Sequence, residues 1–223
     1  MSSYKIIATV SEEELKKIQT YNLNPVDILE IRLDLITEEY FKTKLTFTLK
    51  QITKPFLFTY RFPEDSSLSF SSNLDLKSIN NFLQEFNSKK NYLDVDLKFY
   101  SKIFPDYKNF EFTKIYSLHN FFGVYSQEDM QTIIIQVSDP NGIYKFAVLP
   151  QSFEDGINFL QAVKELSKAY TLIGIWMGQE GQFSRIFGDL YGSSFTYGTL
   201  ETPKAPGQLN VNYIFGLRTI AKI

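Results

Sequence analysis

A lysine sits where a lysine is costly. In Tyr144-Lys145-Phe146-Ala147-Val148-Leu149-Pro150-Gln151-Ser152 it interrupts an apolar run that reads as a short buried strand. A proline and a polar pair follow the run and start a helix. An ammonium in apolar surroundings loses its hydration, and recovers the cost only from a partner or by giving up its proton. A lysine that gives up its proton is a neutral amine, a nucleophile toward carbonyl groups. His119 is the single histidine of the chain and closes the preceding strand-like run. Adjacent strands lie about 4.8 Å apart, so an amine on one and an imidazole on the next reach the same small substrate. A nucleophile beside a general acid/base is the pairing for imine chemistry with proton transfer at the neighbouring carbon. Arg32, Arg61 and Arg185 add fixed positive charge, which binds a carboxylate bidentately and biases the lysine toward its neutral form. Singly, each of these residues has a plainer reading, as a solvent-facing lysine, a hydrogen-bonded histidine or a structural arginine. The order of the elements is what joins them.

Eight strand-like runs alternate with helical segments. The strands are predicted at Lys5 to Val10, Ile28 to Leu35, Pro55 to Arg61, Tyr92 to Leu97, Thr113 to His119, the run around Lys145, Thr171 to Met177 and Ser194 to Leu200. Ser11 with Glu12, Glu13 and Glu14 is a capping-box start to the first helix. Helical spacing then covers roughly 38 to 51, Asn73 to Lys89, a short piece broken by Pro105, Gln127 to Val137, Phe153 to Tyr170, Phe183 to Tyr191 and Val211 to Lys222. This alternation calls for parallel pairing through right-handed crossovers. Eight units in residues 1–223 describe one compact α/β domain, a closed (β/α)8 TIM barrel. An open doubly wound sheet is the rival, but no Gly-x-Gly-x-x-Gly follows the first strand.

The barrel also accounts for the charged strand faces. Glu30, Arg32 and Asp34 alternate along the second run, and Asp94 and Asp96 along the fourth. Inward residues near the C-terminal ends of barrel strands line the site, so Glu30, Arg32, Arg61, His119 and Lys145 converge there. Pro203-Lys204-Ala205-Pro206-Gly207-Gln208, after the eighth strand, reads as a stiff loop, a linker or a lid, and its position on that face favours a lid. Gly178-Gln179-Glu180-Gly181 lacks both the lysine and the spacing of a phosphate loop.

Composition narrows the chemistry further. The chain is 43% hydrophobic, with 21 Phe and 14 Tyr, which predicts a bulky core. A net charge of -2 without a Lys/Arg run argues against a nucleic-acid partner. Cysteine is absent, which excludes thiolate nucleophiles, thiolate metal sites and disulfides, and one histidine cannot build a histidine metal cluster. Met1-Ser2-Ser3-Tyr4-Lys5 leads straight into a strand, and no apolar run approaches 18 residues. The expectation is a soluble cytoplasmic protein with no membrane partner.

The ordered set of motifs resembles the type I 3-dehydroquinate dehydratases, the Schiff-base enzymes of the shikimate pathway of aromatic amino acid biosynthesis. The matching pieces are Glu30-Ile31-Arg32-Leu33-Asp34, Phe58-Thr59-Tyr60-Arg61, Ser117-Leu118-His119-Asn120-Phe121 and Lys145-Phe146-Ala147-Val148-Leu149-Pro150-Gln151-Ser152. Met177-Gly178-Gln179-Glu180-Gly181, Ser184-Arg185, Gly192-Ser193, Thr196-Tyr197-Gly198 and Ala205-Pro206-Gly207-Gln208 complete the set over essentially the whole chain. The resemblance implies a cofactor-free lyase, a homodimer, whose small-molecule substrate is 3-dehydroquinate. It implies that Lys145 forms the imine with the C3 ketone. His119 would take the C2 proton, deliver a proton to the departing C1 hydroxyl, and assist imine formation and hydrolysis. Arg185 and Gln208 would hold the substrate carboxylate. Glu30, Arg32 and Arg61 would order the hydroxyl side, and Thr9, Met177 and Tyr197 would line the pocket.

Two positions depart from the family pattern. The family has a glutamate in a glycine-containing loop after the arginine of the third strand, which orients the histidine. Here that loop is Arg61-Phe62-Pro63-Glu64-Asp65-Ser66-Ser67, with Asp65 at the place by ungapped counting and Glu64 one before it. The lid residue four before the glutamine is usually serine in the family and is Lys204 here. An inward Lys204 would add a point charge at the substrate carboxylate, and an outward one would be solvated. Two rival readings stand beside the dehydratase: another lysine-imine barrel such as an aldolase, and a non-catalytic barrel.

Overall fold

The computed structural model describes residues 4–62, 74–99 and 107–221. Eight parallel strands follow one another around a barrel: β1 (Lys5–Val10), β2 (Ile28–Arg32), β3 (Phe56–Thr59), β4 (Tyr92–Asp96), β5 (Thr113–Asn120), β6 (Ile143–Val148), β7 (Thr171–Trp176) and β8 (Phe195–Thr199). β8 returns to pair in parallel with β1, Lys5 opposite Phe195 and Thr9 opposite Thr199. β7 and β8 form no continuous ladder with each other among the described residues. A bridge joins Leu172 to Ser193, the Ser194 N–H donates to the Leu172 carbonyl at 2.8 Å, and the Ser193 hydroxyl accepts the Gly174 N–H at 3.2 Å. A two-residue strand, β9 (Leu209–Asn210), pairs with the end of β8 beyond the lid.

The helices are α1 (Glu12–Lys16), α2 (Glu38–Tyr40), α3 (Thr46–Lys50), α4 (Leu76–Glu85), α5 (Gln127–Val137), α6 (Phe153–Leu166), α7 (Gln182–Phe187) and α8 (Val211–Ala221). Local chemistry sets most starts. Ser126 and Ser152 accept backbone N–H bonds from Asp129 and Asp155, and Ser11 with Glu14 forms the expected capping box. The expected helix over 38 to 51 is interrupted by a π-helical turn, Phe41–Leu45, between α2 and α3. The segment after α7 tightens into a 3-10 turn, Gly188–Tyr191, rather than continuing as α-helix. Among the described residues no helix is long and apolar enough to cross a membrane.

Two apolar layers follow from the two-residue period of the strands. Outward residues such as Ile6, Leu29, Phe58, Val95, Phe146 and Trp176 pack under the helices. Phe58 alone makes ring contacts with Phe56, Phe82, Phe86 and Phe112, which is where much of the phenylalanine goes. Inward residues Ile7, Ile28, Leu57, Ile115, Ile143, Ile173 and Phe195 fill the lower barrel. Above that plug the inward positions turn polar, and the site begins.

Candidate active site

The upper barrel holds a cavity that opens to solvent. The eleven candidate residues within the described chain all line it: Thr9, Glu30, Arg32, Arg61, His119, Lys145, Met177, Arg185, Tyr197, Lys204 and Gln208. Glu64 and Asp65 lie outside the described residues. The strand period explains the convergence. Thr9 follows Ile7, Glu30 follows Ile28, Arg32 follows Glu30, and Lys145 follows Ile143, each two residues up the same inward face. Register sets the heights: Lys145 is level with Ser117, and His119 is level with Ala147, so the amine lies deeper than the imidazole.

Lys145 is 5% exposed. Its Nζ stands 4.1 Å from the centre of the Tyr197 ring and 3.6 Å from Asp94 Oδ2. Burial lowers its pKa, Arg61 and Arg32 act in the same direction, and Asp94 and Glu30 oppose them. The main cause is therefore the apolar strand itself rather than the arginines. His119 is also buried, and its pKa is held well below that of an ordinary imidazole by burial, then by Arg61, Lys145, Lys98 and Arg32. It is a neutral base at physiological pH.

Glu30 is caught between opposite pulls. Burial raises its pKa, but Lys145 and Arg32, the Thr9 hydroxyl and Arg61 outweigh that and keep it an anion. Its two oxygens accept the Thr9 hydroxyl at 2.6 Å and the Thr59 hydroxyl at 2.8 Å, so the carboxylate cannot rotate freely. Arg32 is clamped by both oxygens of Asp34. The second strand, which the sequence pattern extends to Leu35, ends at Arg32, and a 3-10 turn over Leu33–Leu35 swings Asp34 back onto the guanidinium. Asp34 also accepts the Arg61 N–H at 3.3 Å, which ties the ends of β2 and β3 together.

Arg185 is 1% exposed, and no carboxylate pairs with it among the described residues. Its Nη atoms donate to the carbonyls of Tyr197 and Pro206 at 3.3 and 3.0 Å, and its Nε has no partner among the described residues. Burial without an anion pulls its pKa down to about 10. A buried guanidinium left short of an anion is prepared to receive one.

The lid closes the top. Gln208 Nε2 donates to Thr9 Oγ1 and to the Gly198 carbonyl, each at 3.0 Å, and Gln208 Oε1 accepts the Lys204 N–H at 2.7 Å. The Gly178 N–H donates to Pro206 O at 3.2 Å. Gly207 sits at φ +71°, and a β-carbon there would lie 2.0 Å from Gly178 O, so only glycine lets the lid turn rest on the loop after β7. Lys204 is neither solvated nor aimed at a vacant anion position. It turns inward, and its ammonium meets Glu14 Oε1 at 2.6 Å and Thr202 O at 2.9 Å.

Three residues of the site carried no assigned role in the sequence. Asp94 accepts the Ser117 hydroxyl at 2.6 Å and faces Lys145. Asp96 Oδ2 is 4.0 Å from His119 Nδ1, placing a carboxylate beside the imidazole from β4. Lys98 donates to the His119 carbonyl at 3.0 Å. The signal for the aspartates was their alternation along an apolar strand.

A parallel barrel with a buried, lowered-pKa amine, a neutral histidine and an anion-seeking arginine at its C-terminal mouth defines the class of lysine-imine barrel lyases. The model of one family, type I 3-dehydroquinase, matches residues 5–221, and the chain belongs to that family. Its fold is similar to that of solved enzymes of the same kind. The 3-dehydroquinate dehydratase from Geobacillus kaustophilus is 24% identical with a TM-score of 0.77, covering 99% of this chain and 92% of that one. The type I enzyme from Clostridium difficile, solved with covalently modified comenic acid, is 22% identical with a TM-score of 0.75, covering 99% and 94%. The enzyme from Aquifex aeolicus is 26% identical with a TM-score of 0.73, covering 97% and 98%. Membership does not favour the aldolase or the non-catalytic reading.

Proposed function

We propose that this chain is a hydro-lyase that converts 3-dehydroquinate to 3-dehydroshikimate through an imine on Lys145. The observation that carries the reading is the amine itself, buried at the centre of the barrel with its pKa lowered and, among the described residues, no ion-pair partner closer than Asp94 at 3.6 Å. As the neutral form, Lys145 attacks the C3 ketone, and loss of water gives the iminium. The positive nitrogen acidifies C2. Neutral His119 takes the C2 proton, and the electron pair moves into the C2–C3 bond to form an enamine. The enamine then expels the C1 hydroxyl, which leaves as water with the proton that His119 returns. Hydrolysis of the conjugated iminium frees the product and restores the amine. One proton moves from carbon to oxygen through one imidazole, so the step balances without a cofactor.

In this reading Arg185 takes the substrate carboxylate, and Gln208 on the lid closes beside it. Glu30, Arg32 and Arg61 meet the hydroxyl side, with Thr9 holding Glu30, while Met177 and Tyr197 form apolar walls. Asp96 steadies the imidazole from β4, a task the family gives to a loop carboxylate at the place of Glu64 or Asp65. Mixing purified protein with 3-dehydroquinate should raise absorbance in the enone band of 3-dehydroshikimate. No rise with folded protein would overturn the assignment. Arg185→Met should raise KM by roughly 10- to 100-fold, the worth of charged hydrogen bonds lost from a buried site. Steady-state kinetics would check it, and an unchanged KM would move the carboxylate elsewhere. The family resemblance also supports a cytoplasmic homodimer, for which light scattering should give a mass near twice 25.9 kDa.

A further inference from the structure

The capping carboxylate of α1 does two jobs. Glu14 Oε2 accepts the Ser11 N–H at 2.9 Å together with the Ser11 hydroxyl, which completes the capping box. Its other oxygen, Oε1, takes the ammonium of Lys204 from the lid, 190 residues further along the chain. The analogous serine caps of α5 and α6 use Asp129 and Asp155 on exposed surface, whereas Glu14 is 1% exposed. Helix capping does not require that burial. The pair at its centre is dry on both sides, with side-chain exposures of 6% for Lys204 and 1% for Glu14.

Burying two charges is a poor source of stability, because desolvation consumes most of the attraction, but removing one partner is strongly unfavourable. Such a pair fixes geometry. Here the geometry is that of the lid. The Lys204 N–H holds the side-chain oxygen of Gln208, whose nitrogen holds Thr9, and the Thr9 hydroxyl holds Glu30. Two residues beyond Lys204, the Pro206 carbonyl accepts from Arg185. Glu14 thus touches Lys204 directly and, through Lys204, the lid segment that carries Pro206 and Gln208.

We infer that Glu14 is a positioning residue for the reaction, acting through Lys204 to latch the lid over the cavity. The inference rests on the proposed dehydratase reading. It does not require any particular role for Lys204 at the substrate. Because both charges are buried, the latch is little affected by salt.

The test uses the full chain with Glu14→Gln, Lys204→Met and the double variant. Glutamine still accepts the Ser11 N–H, so the cap is kept while the charge is lost. Each single variant should raise KM for 3-dehydroquinate about tenfold with kcat within about threefold, as expected for a lid that must be ordered by substrate. The double variant should be no worse than either single one, because both remove the same contact. Glutamyl endopeptidase should cut faster after Glu201, exposed two residues before the lid and paired with Lys17, in all three. Lys204→Arg, which keeps the charge, should restore KM toward the parent. A parent-like KM in both singles, with only the melting temperature lowered, would overturn the inference and leave the pair structural. If the singles do not fold, the double variant decides alone: a raised KM supports the latch, and a parent KM removes it. A parent protein without turnover would instead defeat the dehydratase reading, which the protease arm does not touch.

Discussion

Lys145→Met is expected to abolish turnover and, with it, the capture of ligand by borohydride. Methionine keeps the length and apolar stem of the side chain but has no amine. What remains is binding and a histidine with no iminium to act upon, so the loss should be about 10⁴-fold or more in kcat. In the parent, borohydride added with substrate or product should reduce the imine, inactivate the protein and add the ligand mass to the peptide that holds Lys145. Capture should rise with pH and level off below 10.5, the ordinary value for lysine, because burial stabilises the neutral amine and Arg61 and Arg32 add to it. Thermal unfolding of the variant separates lost chemistry from lost fold. An adduct on a different lysine of the parent, or none during turnover, would sink the imine assignment.

The prominence of Lys145 in the sequence has a physical basis. One charge in an apolar run is costly under the helices, and the inward face of a parallel barrel is where such a charge is tolerated, so the barrel pattern weighs against a solvent-facing lysine. His119 was legible because a chain with one histidine offers no alternative. Strand order, the lid and the aromatic core were legible for similar reasons, since period and turn chemistry are local. What was hidden depended on distant partners. Ser11 and Glu14 form a complete local motif, so nothing in the sequence shows that one oxygen of Glu14 is left for Lys204. Asp94 and Asp96 shared a visible face, but that Asp94 meets the amine and Asp96 the imidazole depends on each side chain reaching one inward level above its own register partner on β5. Arg32 and Asp34 looked like neighbours along an extended face. The chain turns between them, and the turn makes the clamp.

His119→Ala carries the second large effect, a loss of dehydration of roughly 10² to 10⁴-fold, the usual worth of one positioned acid/base. Imine capture by borohydride should persist, because the nucleophile is untouched. The same residue leaves a mark on stability. Its folded pKa lies well below 6.5, so below that pH the unfolded chain binds a proton that the folded chain refuses. Stability supplied by the neutral imidazole is therefore intact above pH 6.5 and is lost as pH falls, by up to about 1.4 kcal/mol per unit until the folded pKa is reached. His119→Ala removes that contribution. Denaturant unfolding at pH 7 and pH 5.5 should show a smaller acid-induced drop in the variant than in the parent. The single imidazole of the parent can be followed by proton NMR across the same range, and it should stay neutral at pH 6. A variant that dehydrates within a few-fold of the parent would remove His119 from the reaction. An imidazole that titrates near 6.5 would show that Asp96, 4.0 Å away, offsets the burial and the four surrounding cations.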